Sequence, residues 1–541
     1  MQAQRYLQLG GDKDWWKGAV IYQIYPRSYK DTNGDGIGDL PGIVEKLDYI
    51  ADLGVDAIWI SPFFTSPMKD FGYDVSDYQD VDPLFGTLDD FKQLLTKAHS
   101  LGVRVLIDLV LSHTSDRHPW FIESRKNRDN DKADWYVWAE PKIDGTPPTN
   151  WFSIFGGSAW EWDTRRRQYY LHNFLTSQPA LHFHNPQVQH ALSSVVRSGL
   201  ESGVDGFRLD TVNMYVHDQQ LRDNPPIGNK RVNGIDASNP YALQEPLYNI
   251  TRPENLQFLE RFRQVLNEYP AVTSVGELGA VTDMYTRIAE YTEEGKRLHM
   301  AYSFDFMTTE FSAAHIRRVV EKMESMEGGW SCWAFSNHDI SRAITRWGVG
   351  HEAAPLLTAM LTSLRGSSCF YEGEELGLPE AEIAFEDLQD PFSIRFWPDF
   401  KGRDGCRTPM PWQGAEANAG FTDAGVKPWL PIPDQHKALA VDQQQQADSV
   451  LQRIKTFLHW RHQQADLLNG DNRFLETAEP ILVLMRGQLC CIFNLSNAPQ
   501  TYKLPTDLSL AAVSGHGFSG ALANGEVKLQ PYDAFFAKLN A

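Results

Sequence analysis

Residues 40–61 read LPGIVEKLDYIADLGVDAIWIS, and the change of rhythm inside that stretch decides the fold. Ile43, Leu47 and Ile50 recur at helical spacing, Pro41 sits where a first helical turn tolerates it, and Gly54 ends the pattern. The next run, VDAIWIS (55–61), is nearly continuous in apolar residues, as suits a strand buried on both faces. A helix that hands over to such a strand within a few residues is half of a parallel α/β unit.

Working outward, the same unit repeats. A strand is predicted at 19–25, a helix at 87–101 and a strand at 103–111. Helices at 186–202, 253–268, 283–294, 314–326 and 353–365 then alternate with strands at 204–209, 271–277, 299–306, 331–336 and 367–371. An amphipathic helix at 450–468 completes eight β-then-α units. The expected fold is an α/β (β/α)₈ TIM barrel over residues 1–113 and 185–470, with a long loop region at about 378–448 after strand 8. A doubly wound open sheet is the alternative, but its usual Gly-rich first turn is missing. Residues 114–184, rich in Trp, Pro, Gly and Asn, predict an inserted subdomain after strand 3. Residues 471–541 carry the β-type runs ILVLM, LCCIFNL and DAFFAKL between turn residues, which predicts a C-terminal antiparallel, sandwich-like β domain.

The 541 residues carry a formal charge of −20, spread along the chain rather than held in a tail. Such a surface repels nucleic acid and anionic membrane, so neither is an expected partner. The opening MQAQRYLQLGGDKDWWKG has no apolar run long enough for a signal peptide or a membrane span. Cys332, Cys369, Cys406, Cys490 and Cys491 show neither zinc nor redox spacing, so reduced thiols in a cytoplasm are expected. A cytoplasmic substrate must then be small enough to be imported. Nothing in the surface pattern separates a monomer from a dimer.

In a parallel barrel, functional groups project from the C-terminal strand ends. Strand 3 ends in Ser112-His113, strand 4 in Arg208-Leu209-Asp210, strand 5 in Gly276-Glu277 and strand 7 in Asn337-His338-Asp339. Three carboxylates, two histidines and an arginine are thereby expected on one rim. Arg208 and Asp210 are two apart and share one side of their strand, so the guanidinium is expected to lower the Asp210 pKa and keep it ionised. A second acid kept protonated would complete a two-carboxylate glycosidase. Separately, Asp31-Thr-Asn33-Gly-Asp35-Gly-Ile37-Gly-Asp39 matches the opening of an EF-hand loop, but its twelfth position is Gly42 rather than a bidentate Glu. That excludes an EF-hand and leaves a hard cation on Asp31, Asn33, Asp35, Asp39 and the Ile37 carbonyl as the expectation.

The stretches GDGIGDL (34–40), GYDVSDY (72–78), DLVLSHTS (108–115), GFRLD (206–210), FSNHD (335–339), GEELGL (373–378) and GCRTPMPW (405–412), taken together and in order, resemble the α-amylase family of glycoside hydrolases. The resemblance runs from about Trp15 into the C-terminal domain and is strongest to the α-glucosidase and oligo-1,6-glucosidase branch. It implies that Asp210 is the nucleophile, Glu277 the general acid/base and Asp339 the carboxylate that grips the sugar 2- and 3-hydroxyls. It further implies a pocket for one glucose made by Asp70, Tyr73, His113, Phe155, Arg208, His338 and Arg407. Asp70 and Arg407 would hold the 4-hydroxyl at the closed end, as exo-action requires. Thr211 stands where the branch has Val for α-1,6 and Thr or Ala for α-1,4 linkages, which implies maltose-like substrates. The cation implied is a structural calcium or magnesium, with no organic cofactor.

Three departures stand out. Ser112 replaces the Asn that ligates a second calcium in amylases, QPALH (178–182) replaces QPDLN, and Glu372 replaces a Gln. The implied activity is a retaining α-glucosidase acting on short α-glucosides, with transglucosylation. Alternatives are a glucosyl isomerase or transferase of the trehalose or isomaltulose synthase kind, and a non-catalytic relative like the barrels that accompany amino-acid transporters. The last should carry a membrane helix and lack the catalytic acids, and this sequence reads the other way on both counts.

Overall fold

The computed structural model describes residues 12–326 and 328–540. Residues 1–11, the first part of the opening stretch read above for a leader, lie outside the described residues. The barrel strands are β1 Val20–Ile24, β2 Ala57–Ile60, β3 Arg104–Leu109, β4 Gly206–Leu209, β5 Thr273–Glu277, β6 Met300–Tyr302, β7 Cys332–Trp333 and β8 Ser367–Tyr371. They hydrogen-bond in the order 6-5-4-3-2-1-8-7, all parallel, and a parallel bridge between Ala301 and Ser331 joins β6 to β7 and closes the ring. One long helix follows each strand: α1 Leu40–Leu53, α2 Leu88–Ser100, α3 Pro186–Glu201, α4 Glu254–Leu266, α5 Met284–Tyr291, α6 Ala313–Glu324, α7 Ala354–Ser363 and α8 Val450–Arg461.

The apolar runs are continuous because each strand is buried on both sides. Ile21, Trp59, Leu106, Val275 and Met300 point into the barrel and pack together. Their neighbours Tyr22, Ile58, Ile60, Val105 and Ile107 point outward and join Ile43, Leu47 and Ile50 of α1 in the main core. Helix ends follow local rules. Asp39 caps α1 by accepting the Gly42 N–H, Gly54 ends it at φ +95°, and Thr87 with Asp90 forms a reciprocal capping box on α2.

Two expectations are corrected. The predicted helix at 450–468 is interrupted: α8 ends at Arg461, Gln464 takes extended backbone, and a short helix resumes at Ala465–Asn469. Where the helix ends, Arg461 is buried and donates to the Thr362 and Gly18 carbonyls at 2.7 Å each, which anchors that end against the barrel. Strands 6 and 7 are also shorter than the apolar runs at 299–306 and 331–336, because those runs continue past the ladder into the loops that carry the site.

Residues 114–184 contain an antiparallel sheet of Trp138–Ala139, Gln168–Leu171 and Trp160–Asp163 and the short helix Pro119–Ser124. Beyond α8, a five-stranded antiparallel sheet (Asn472–Leu475, Ile481–Arg486, Leu489–Asn494, Leu510–Ala512, Ala534–Leu539) is accompanied by a three-stranded one. A hairpin the apolar pattern did not announce, Phe64–Thr65 with Asp77–Val81, frames the loop that carries Asp70 and Tyr73.

Candidate active site

The C-terminal ends of β3, β4 and β5 converge on Arg208, whose side chain is wholly buried. Its Nη1 donates to Asp210 at 2.7 Å and to Asp108 at 3.0 Å, and its Nη2 lies 2.8 Å from Glu277 Oε2. One guanidinium thus holds Asp210 and Glu277 on its two terminal nitrogens. Trp59 and Tyr302 close its faces, with the guanidinium carbon 4.8 and 5.8 Å from their ring centres. The Tyr302 hydroxyl donates to Glu277 Oε1 at 3.1 Å.

Asp339 lies on the other wall and is the most open of the three acids, with a quarter of its side chain exposed. Arg407 and Arg403 donate to its Oδ1 at 2.8 and 3.1 Å, and His338 Nε2 is 3.3 Å from Oδ2. His338 is fixed by Gln23 at Nδ1 (2.7 Å) and by the Tyr73 hydroxyl at Nε2 (2.6 Å), while that hydroxyl donates to Asp108. Phe155 stacks on Phe392 with centroids 4.9 Å apart, and the Arg403 guanidinium covers its ring. His113 donates from Nε2 to the Tyr73 carbonyl at 2.9 Å. Thr211 touches both Asp210 and Glu277. All the residues expected to line the pocket are therefore brought to one rim.

The two residues expected to hold the 4-hydroxyl have separate protein partners. Asp70 pairs with Arg403 at 2.9 Å and with Gln178, whereas Arg407 goes to Asp339 and the His338 carbonyl. Arg403, held also by Asp390 at 2.7 Å, was missed because GCRTPMPW begins two residues after it. Asp108 and Gln178 stood inside stretches that drew attention, but no local pattern marks them as linked to Arg208 or Asp70. Tyr302 had no signal beyond its place at the end of a strand.

The electrostatics also depart from the simple pairing. Burial pushes Asp210 up to about 7 and Glu277 up to about 7, against the opposing pull of Arg208. The expectation that Arg208 alone would lower the Asp210 pKa overlooked that it is shared with Asp108 and Glu277. Six acids (Asp70, Asp108, Asp210, Glu277, Asp339, Asp390) face three arginines, so the Asp210–Glu277 pair retains a proton. Asp339 is held well below the usual carboxylate range: burial opposes ionisation there, but His338, Arg403 and Arg407 outweigh it. His113 is lowered to about 4 by burial and stays neutral.

The three departures find places. Ser112 sits between His113 and Thr211, with Oγ 2.8 Å from Nδ1 and 3.1 Å from Oγ1. Ala180 pairs with His113 in a backbone bridge, and His182 meets Asp134 at 3.1 Å. Glu372 is buried, accepts the Tyr25 N–H at 2.9 Å, and has a second oxygen without a hydrogen-bond partner. Burial raises its pKa, and the acid takes the place of a neutral amide. A raised folded-state pKa contributes stability that is complete below the ordinary glutamate range, about 4.3, and declines as pH rises toward the folded value. Glu372→Gln is therefore expected to match the parent's thermal midpoint near pH 4 and exceed it increasingly toward about pH 8. A gap that does not widen with pH would refute the neutral-acid assignment.

In the 31–39 loop, the Asp31 carboxylate accepts the N–H groups of Asn33, Gly34 and Gly36 and the Thr422 hydroxyl. Asn33 and Asp35 side chains accept the N–H groups of Asp35 and Ile37, and Asp39 takes Thr32 besides capping α1. Gly36 is required here, at φ +88° with a would-be Cβ 2.3 Å from the Lys427 carbonyl oxygen. The donors are all oxygen and include three carboxylates, which is the chemistry a hard cation takes. As arranged, they serve the loop's own N–H groups, and no three acidic, His or Cys side chains among the described residues converge as a metal-holding group.

The profile of the α-amylase catalytic domain matches residues 23–470. The chain is 56% identical over 544 residues to a probable α-glucosidase of Rhizobium meliloti (strain 1021), covering 98% of each chain. It is 36% identical to an oligo-1,6-glucosidase of Parageobacillus thermoglucosidasius, covering 98% of this chain and 99% of the relative. Among solved structures, the α-glucosyl transfer enzyme XgtA superposes with a TM-score of 0.94 at 55% identity, over 97% of this chain and 99% of that one. The trehalulose synthase MutB from Pseudomonas mesoacidophila MX-45 follows the same fold with a TM-score of 0.89 at 31% identity, over 97% and 99%. A closed parallel barrel, acids at the ends of strands 4, 5 and 7, and these matches together place the chain in the α-amylase family of glycoside hydrolases.

Proposed function

We propose that the protein is a retaining, exo-acting α-glucosidase that releases α-glucose from the non-reducing end of short α-glucosides. Maltose-like α-1,4 linkages are preferred, sucrose is within its range, and the glucosyl group also passes to other hydroxyls. The observation that carries this reading is the pair Asp210 and Glu277, buried together on the two nitrogens of Arg208. Retaining glycosidases hold their two carboxyls about 5 Å apart, close enough for one to bond to carbon while the other handles the proton.

Glu277, protonated, gives its proton to the glycosidic oxygen as an Asp210 oxygen attacks C1. The C1–O bond breaks, the aglycone leaves as an alcohol, and Asp210 holds glucose as a β-linked ester. Glu277, now a carboxylate, takes a proton from water, whose oxygen attacks C1 from the opposite face as the ester bond to Asp210 breaks, which frees Asp210 as a carboxylate and restores the α-configuration. Any alcohol that reaches the ester before water takes the sugar instead, which gives transfer. Asp339, kept ionised by Arg403 and Arg407, accepts hydroxyls of the distorted ring. Thr211 at the rim supports α-1,4 preference through the branch pattern described above.

Product analysis on maltose, isomaltose and sucrose, with anomeric NMR of the first glucose formed, tests the reading. We expect α-glucose, released fastest from maltose. Initial β-glucose would overturn retention, and isomaltose as the fastest substrate would discard the role given to Thr211. An isomerised disaccharide as the main product of sucrose would favour the isomerase reading.

A structural calcium or magnesium on Asp31, Asn33, Asp35, Asp39 and the Ile37 carbonyl belongs to the proposal, supported by the oxygen donors. Chelation is expected to lower the thermal midpoint more than it lowers room-temperature turnover. Immediate loss of activity restored by metal would overturn a purely structural role. A cytoplasmic location is supported by the five buried free cysteines, of which Cys332 and Cys369 lie with sulfurs 3.3 Å apart and unbonded. No described helix is long and apolar enough to cross a membrane.

A further inference from the structure

Thr211 has a left-handed backbone, φ +40° and ψ +48°, which a β-branched residue rarely adopts. The conformation turns its N–H toward Glu277 Oε2 at 3.1 Å and its hydroxyl toward Asp210 Oδ2 at 3.2 Å. One residue thus contacts both acids of the reaction proposed above, and the strained backbone lies where function would retain it.

Counting protons orders the chain behind it. His113 Nε2 lies 2.9 Å from the Tyr73 carbonyl oxygen, where a lone pair would be repelled, so Nε2 carries the hydrogen. The Gln178 amide nitrogen, 3.2 Å from the same Nε2, gives its two hydrogens to Asp70 at 3.0 Å and to the Tyr73 carbonyl at 3.4 Å instead. His113 Nδ1 is then an acceptor, and Ser112 Oγ, 2.8 Å away, donates to it. Ser112 has spent its single hydrogen and offers only lone pairs to Thr211 Oγ1 at 3.1 Å. The Thr211 hydroxyl therefore has one hydrogen and two acceptors at similar distances, Asp210 Oδ2 and Ser112 Oγ.

We propose that Thr211 is a positioning residue whose hydroxyl donates to Asp210 while that carboxylate is charged and turns to Ser112 Oγ when it becomes an ester. A carboxylate is a much stronger acceptor than a serine oxygen, and an ester oxygen a weaker one than a carboxylate. The hydroxyl thus steadies the nucleophile before attack and again as it departs, without following the sugar. No bond to Thr211 or Ser112 forms or breaks. The inference rests on Asp210 being the nucleophile.

Asp210 is also faced by Arg208 from its own strand, Asp108 from β3, Glu277 from β5 and Asp339 from β7. The hydroxyls of Tyr73, Tyr78 and Tyr215 feel its charge and stay neutral. All of these remain when Thr211 or Ser112 is changed, so a change in the acid limb of the rate profile reports the hydroxyl.

The test is the pH dependence of kcat/KM on p-nitrophenyl α-glucoside for Thr211→Val, Thr211→Ser and Ser112→Ala, with thermal unfolding as the check on folding. Thr211→Val is expected to move the acid limb up by about one pH unit, and Thr211→Ser to leave it in place. Ser112→Ala, which removes the competing acceptor, is expected to move it down. A residue that only shapes the pocket would change KM or linkage preference and leave the limb where it was. An unmoved limb in folded Thr211→Val, or an unmoved or raised limb in Ser112→Ala, overturns the proposal. If Thr211→Val does not fold, Ser112→Ala decides alone. Substantial turnover by Asp210→Asn would instead overturn the underlying nucleophile assignment.

Discussion

Asp210→Asn is expected to lower turnover by on the order of 10⁴–10⁶-fold and to leave the barrel folded. The loss is large because an amide forms no glucosyl ester under these conditions, so the two-step path closes altogether. The fold persists because Asn fills the same volume and removes one negative charge from a site with more acids than arginines. Arg208 still has Asp108 and Glu277 as partners. The thermal midpoint of the variant should therefore equal or exceed the parent's. Activity above roughly one per cent of the parent, in protein shown free of parent enzyme, would sink the assignment of Asp210 as nucleophile.

Arg208→Met is expected to be destructive in a different way, costing about 3–5 kcal/mol of stability as well as activity. The side chain is fully buried, and its loss strands Asp108, Asp210 and Glu277 without their shared counter-charge. Breaking one side of a buried ion network is worse than never having had it, because the remaining charges stay desolvated. The deficit should depend on pH with a definite sign. Without Arg208 the three carboxyls have folded-state pKa values raised still further, so stability is retained below the ordinary carboxylate range and lost as pH rises. Denaturant unfolding at about pH 5 and about pH 8 should show the larger penalty at the higher pH. An equal penalty at both would mean that Arg208 acts through packing against Trp59 and Tyr302 rather than through charge.

The barrel and the acids at its strand ends were legible in the chain for local reasons. A strand buried on both faces is mostly apolar, so the barrel strands appear as near-continuous runs interrupted by a few buried polar residues such as Gln23, Asp108 and Arg208, and a helix on such a sheet must repeat near 3.6 residues. Where a run stops at a charged residue, the strand end is marked, and that placed Asp210 and Glu277 on one rim. Leu40–Leu53 and Ala57–Ile60 lie where residues 40–61 put them. Strands such as Cys332–Trp333 are shorter than their apolar runs, since apolar residues continue into loops that are buried without being paired.

The partners of those acids were decided by tertiary structure alone. Arg403 reaches Asp70 across 333 residues, Tyr302 reaches Glu277 across 25, and Arg208 reaches Asp108 across 100. No local period encodes such contacts, because they depend on the closure of the ring and on how each loop folds back over its mouth. The protonation of the site follows from the same contacts: sequence shows an arginine beside an aspartate, but burial and a shared guanidinium decide which charge prevails. The sequence by itself determined the eight-fold unit and which residues stand at the strand ends, because strand and helix periods are short-range properties. The tertiary structure decided which charges meet and which proton stays, because electrostatics in a buried site is a sum over groups that the chain brings together only when it closes.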